Sequence, residues 1–170
     1  MKKATTARDM ANEVDQTRFL DEYLPYWLSQ ASYWISSEFQ QEVKLAGLTF
    51  AEWRTLASLY GSAGETIGTL SRLALMKQPT MSKLVQRLEA DGLVGKSSAE
   101  GDRRQTLVII APKGRLRIAK LIEKARAHQQ EVLRPFGAEN ARKLLLTLQD
   151  LVRQHERTGL FGSGSPSPDQ

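Results

Sequence analysis

In the segment 78–88, QPTMSKLVQRL, two kinds of residue interleave at helical spacing. Met81, Leu84, Val85 and Leu88 recur at three- and four-residue steps and predict a buried helix face. Thr80, Ser82, Lys83, Gln86 and Arg87 fall on or beside the opposite side, with Gln78 and Pro79 leading into them, and no acid joins them before Glu89. Amides, hydroxyls, an ammonium and a guanidinium on one short helix can pair with base edges. Gln suits adenine, Lys or Arg suits guanine, Thr and Ser suit several edges, and a proline ring can touch a thymine methyl. Pro79 fits the first helical position, where its missing N–H costs no intrahelical bond and its fixed φ starts the helix. The free N–H groups at that end attract a phosphate.

A second group lies in GDRRQ, residues 101–105. Here Arg103 and Arg104 sit on a projecting tip between LVGKSS and TLVIIA, two segments with strand patterning, where they can reach a minor groove or its phosphates. Asp102 can pair with one guanidinium and fix its direction. By itself GDRRQ also reads as an ordinary charged surface turn; the helix before it favours the contact.

The third group is aromatic. All three tryptophans and all four tyrosines (Tyr23, Tyr26, Trp27, Tyr33, Trp34, Trp53 and Tyr60) lie between residues 23 and 60. Plain core packing would explain that crowding. So would a ring-lined pocket, with faces at Trp27 and Trp53, hydroxyls at Ser32 and Ser36 one helical turn apart, and Arg54 as a charged anchor suited to a bidentate bond with a carboxylate. Arg54 serves equally well as a surface or interdomain salt-bridge residue.

Catalysis has few tools here. The chain has no cysteine, which removes disulfides, thiolate metal sites and thiol redox sensing. Its two histidines, His128 and His155, stand far apart on segments with helical patterning, and no titratable residues converge at a catalytic spacing. The expectation is a protein that is not an enzyme and needs no cofactor or metal. Charge is unevenly placed instead. Residues 66–118 carry 10 basic and 4 acidic groups, against 6 and 9 before them and 8 and 6 after. A basic middle third suits a polyanion, although a solvated charged face has the same composition.

These groups need elements to position them. Apolar periodicity from Phe19 to about Ala46 predicts one long amphipathic helix, with Pro25 near its start allowing a kink or a late beginning. Gly47 ends it. Thr49 and Glu52 have capping-box spacing for a second helix, which Gly61 and Gly64 close. TIGTLSRLAL predicts a third helix, and a turn at 76–78 leads into the polar-faced one. After the hairpin, Pro112 opens a helix running to about Arg134, and Pro135 and Gly137 separate it from a last helix with the apolar run Leu144, Leu145 and Leu146. The Gly/Ser/Pro-rich ending GLFGSGSPSPDQ lacks the apolar content to order itself. No apolar run reaches membrane-spanning length and no secretory signal opens the chain, so a cytoplasmic protein without a membrane partner is expected.

The succession LTFAEWRTLASL, TIGTLSRLALMKQPTMSKLVQRLEADGLV and GDRRQTLVIIAPKGR, with its closing helix pair, resembles the MarR family of bacterial transcriptional regulators over roughly residues 20–157. QPTMSKLVQRLEADGLV and the DRR segment followed by PKGR carry most of that likeness. The resemblance implies a mainly α fold with a small β-hairpin wing, a winged helix-turn-helix at 48–112, and a helical dimerisation domain at 19–47 and 113–157. Residues 1–18 would form a partly ordered arm and 158–170 a flexible tail. It further implies a homodimer on palindromic double-stranded operator DNA, with Arg104 in the minor groove steadied by Asp102. A small aromatic acid effector would relieve repression from a pocket between the dimer helices and the DNA-binding lobe. One departure is Ala111, where such sequences commonly have a capping threonine; a lost cap costs about 0.5–2 kcal/mol. The alternative is a winged-helix module for protein or RNA contacts without effector binding, and the acid-free polar face at 80–87 favours DNA over it.

Overall fold

The computed structural model describes residues 18–99 and 102–158, without the side chains of 99, 102–105, 157 and 158. Two compact units divide after Glu38. In the first, α1 (Phe19–Glu22) stops at Tyr23, whose backbone is extended, and α2 (Leu24–Leu45) begins at once. The single helix expected from Phe19 is therefore broken, and Pro25 is the cause. A continuing helix would need the residue 25 N–H to reach the Asp21 carbonyl, and proline has none. The Trp27 indole N–H donates to that carbonyl instead, at 2.9 Å.

The second unit runs from Phe39. The chain leaves α2 through Gly47, at φ +69°, and the last carbonyls of that turn, Ala46 and Gly47, accept from the Arg117 guanidinium at 3.3 and 3.2 Å. Then follow α3 (Phe50–Leu59), α4 (Ile67–Ala74), α5 (Gln78–Ala90), β1 (Val94–Ala99), β2 (Asp102–Ile110), α6 (Pro112–Leu133), a 3-10 turn (Arg134–Phe136) and α7 (Gly137–Thr158). Both halves of the Thr49–Glu52 capping box form at α3, and Thr66 caps α4. Ala111 precedes α6 without a side-chain cap.

β1 and β2 pair antiparallel from Val94 opposite Ile110 to Ser98 opposite Thr106, and an irregularity follows between Ser98 and Ala99. An isolated bridge ties Glu65 to Val108, fastening the hairpin to the segment ahead of α4. Periodicity does not reveal that bridge, because one residue has no period. The expected tip also shifts. Asp102, Arg103 and Arg104 open β2 rather than forming the turn.

Met81, Leu84, Val85 and Leu88 of α5 are all buried, as their spacing requires, and join Leu56 and Leu59 of α3, Leu70 of α4, Val108 of β2 and Ile118 and Leu121 of α6 in one core. This winged helix-turn-helix core fixes which side of α5 faces out. Among the described residues no helix is long and apolar enough to cross a membrane.

Candidate nucleic-acid interface

α5 starts one residue earlier than its sequence suggests, so Gln78 is its first residue and Pro79 its second. The consequence is small, since the first N–H groups have no intrahelical partner in either frame. Gln78, Pro79, Thr80, Lys83, Gln86 and Arg87 are exposed and Ser82 is half-buried. The structure thus gathers the whole polar set on one helix, with the four apolar residues of α5 holding its inner side. The Gln78 amide nitrogen also lies beside Gly68 in the first turn of α4, 3.4 Å from where a Cβ there would stand.

Much of the basic charge in the middle third is already engaged. Arg72 pairs with Glu156 at 3.5 Å, Arg87 with Glu52 at 2.9 Å and Lys96 with Glu89 at 2.5 Å. Lys113 donates to the Asp91 carbonyl at 2.7 Å. Arg115 lies over the Tyr60 ring, 5.6 Å from its centroid. Arg117 closes α2, as described. Among the described residues of this region, Lys77 and Lys83 are the cations without such a partner. The excess of positive charge is therefore partly structural, and among the described residues of this region its free portion lies at the start and outer face of α5. Asp102, Arg103 and Arg104 have their backbone in β2, but their side chains lie outside the described residues.

The acid that pairs with Arg87 was visible in the sequence only as a cap. Glu52 Oε2 accepts from the Thr49 N–H at 2.7 Å and the Thr49 hydroxyl at 2.9 Å, while Oε1 accepts from Arg87. Burial pushes this carboxyl up, but the Thr49 N–H, the Thr49 hydroxyl and the Arg87 charge outweigh it, and the net displacement is downward. A carboxyl lowered in the fold stabilises it above the ordinary carboxylate range, and that contribution fades as pH falls through the lowered value. At neutral pH Glu52 is charged.

The aromatic group divides between the units. In the first, Trp27 is half exposed with its N–H on Asp21, Ser32 is exposed and Ser36 half-buried. In the second, Trp53 is buried against Phe39, ring centroids 5.4 Å apart, which makes it core. Arg54 is half-buried, its guanidinium 5.4 Å from the Phe50 ring centroid and 3.4 Å from the Ala74 carbonyl at the end of α4. Among the described residues, that long hydrogen bond engages one of the five donors the guanidinium carries.

A family model for the MarR family matches residues 46–105, from the end of α2 to the start of β2. The chain is 29% identical over 161 residues to the transcriptional activatory protein BadR of Rhodopseudomonas palustris, covering 92% of this chain and 91% of that one. It is 24% identical over 125 residues to the homoprotocatechuate degradative operon repressor of Escherichia coli, 74% and 84% of the two chains. The crystal structure of a MarR family regulator from Silicibacter pomeroyi DSS-3 superposes with a TM-score of 0.69 at 32% identity, covering 80% of this chain and 99% of that one.

Proposed function

The chain belongs to the MarR family of winged helix-turn-helix, DNA-binding transcriptional regulators, and on that premise we propose that it is a homodimeric repressor. It binds a palindromic operator and is released by a small aromatic carboxylate. The observation that carries the DNA reading is the outer face of α5: Thr80, Ser82 and Lys83 stand clear of internal ion pairs on a helix whose inner face is fully committed to the core. Such a helix fits the major groove, and two copies related by a dyad place half-sites about one helical turn, ~10 bp, apart.

The dimer follows from α7. Leu144, Leu145, Leu146 and Val152 all remain exposed within one chain, an apolar surface that an isolated protomer would leave in water. A second copy covers it, and the dimerisation region we assign is 19–47 with 113–157. Sedimentation at micromolar concentration is expected to show a dimer of the 19.0 kDa chain; a folded monomer there would remove this assignment.

The effector reading rests on Arg54, with support from a relative named for the homoprotocatechuate operon. A half-buried guanidinium beside a phenyl face can grip a carboxylate in two parallel hydrogen bonds while the ring flanks it. Binding that favours a dimer whose recognition helices are wrongly spaced lowers operator affinity by the difference in ligand affinity for the two states. Typical coupling of about 1–3 kcal/mol corresponds to a 5- to 150-fold loss. Benzoate-, cinnamate- and indole-type acids titrated into the operator complex should release DNA and change the tryptophan fluorescence. Arg54→Ala should abolish that response and still bind operator without ligand. Release of DNA by the variant at the parental acid concentration would return Arg54 to a packing role.

A further inference from the structure

Arg87 is the cation of α5 that the fold does not leave free. It occupies the same helix as Lys83, four residues on, and 58% of its side chain is exposed, yet Nη2 is held 2.9 Å from a Glu52 carboxylate that is only 14% exposed. That carboxylate cannot swing away with Arg87, because its other oxygen is fixed by two hydrogen bonds from Thr49 at the head of α3. Glu52 thereby performs two separable jobs. Oε2 closes the capping box, which glutamine can do equally well. Oε1 restrains an arginine, which needs the negative charge.

We propose that Glu52 is a specificity-determining residue for DNA binding: it withholds Arg87 from the phosphate backbone and leaves Lys83, Thr80 and Ser82 to set the fit. A long, unrestrained guanidinium finds a phosphate in any register and strengthens binding to every sequence alike. Tying it to a half-buried acid that Thr49 holds in place removes that sequence-blind contribution, while the short side chains at the start of α5 gain only where the base edges match. The inference rests on the assignment of α5 to DNA and adds to it an acid on a different helix.

The test compares an operator duplex with a random duplex of equal length, both titrated with the full-length dimer at several salt concentrations. Glu52→Gln retains an acceptor for the Thr49 N–H and frees Arg87. Each added phosphate contact steepens the fall of log K with log salt by about 0.9, so two freed arginines per dimer steepen it by about 1.8. On the random duplex this is an additional loss of about 12-fold between 50 and 200 mM salt, on top of an affinity raised at the low end. The ratio of operator to random affinity falls. Glu52→Gln made on an Arg87→Gln background produces none of this increment, which separates release of Arg87 from mere loss of a negative charge near DNA. Should the glutamine variant lose helix content, Glu52→Asp serves in its place. It keeps a carboxylate in the first turn of α3 but is one methylene too short to reach both Thr49 and Arg87, and the slope steepens in the same direction. An unchanged random-duplex slope in a folded variant overturns the proposal and leaves Glu52 as a cap. An increment that persists without Arg87 overturns it too. Parental protein that binds neither duplex overturns the proposal together with the assignment of α5 itself.

Discussion

Alanine at Gly114 is expected to cost about 3 kcal/mol of stability, the upper part of the usual range for inserting a group into a packed site. For a chain of this length that lowers the thermal midpoint by about 6–12 °C at matched protein concentration. Helix propensity alone argues the reverse, since Gly114 is the third residue of α6 and Gly→Ala inside a helix gains up to about 1 kcal/mol. Sterics decide it. A Cβ at 114 would lie 2.0 Å from the Leu93 carbonyl oxygen, 2.9 Å from the Leu93 carbonyl carbon and 3.2 Å from Ile110 Cγ1. The obstacle is backbone, and it is pinned: the Leu93 carbonyl accepts from the Ala111 N–H at 3.0 Å, so moving it breaks the contact between the root of β1 and the head of α6. Gly68, in α4, is the contrast. Its hypothetical Cβ meets the Gln78 amide nitrogen at 3.4 Å and the Thr66 hydroxyl oxygen at 3.8 Å, both ordinary contacts with side chains, and Gly68→Ala should follow propensity and be neutral or stabilising. A Gly114→Ala midpoint at or above the parental value would mean that α6 does not approach Leu93 so closely.

That glycine shows what sequence reasoning reaches and where it stops. PKGR marks the start of a helix by its proline, but nothing in those four letters says that the third must have no side chain, because the obstacle sits 21 positions earlier in the chain. Properties carried by neighbouring residues were legible. The inner face of α5 follows from four apolar residues at helical spacing, the Thr49–Glu52 cap from a three-residue offset, and the bare start of α6 from Ala111. Properties that depend on distant partners were not. The polar face at 80–87 reads as free of acid along the chain, yet Glu52 arrives from α3 to hold Arg87. Trp53 and Arg54 are adjacent in sequence and invite a joint role, but consecutive helical residues point about 100° apart. One packs on Phe39 and the other lies beside Phe50 and Ala74. The leucines of α7 predict packing, and within one chain they pack little, since the surface they need belongs to another copy in the dimer we propose.

Operator binding should weaken by roughly 10³-fold or more between 50 and 200 mM salt, the largest effect expected of this protein. The number of cations free to meet phosphate sets the size of that loss. Arg72, Arg87, Lys96, Lys113, Arg115 and Arg117 are engaged inside the fold, which removes most of the basic middle third from the tally. Lys77 and Lys83 remain, the first N–H groups of α5 add a contact that Pro79 does not obstruct, and Arg103 and Arg104 complete the proposed set. Three to five phosphate contacts per subunit give about six to ten per dimer, and withholding Arg87 places the protein toward the lower end, with a slope of log K against log salt near −5 or −6. Fluorescence anisotropy of a labelled palindromic duplex measures that slope directly. Arg104→Ala should reduce its magnitude by about 1.8, one phosphate or minor-groove contact on each side of the dyad. Asp102→Ala should weaken binding more mildly, because the arginine keeps its charge and loses only its direction. A parental slope shallower than about −3 would mean that fewer than four phosphates are neutralised by the dimer. Lys77, Lys83 and the wing arginines could not then all face DNA, and the orientation of α5 in the groove would have to be abandoned.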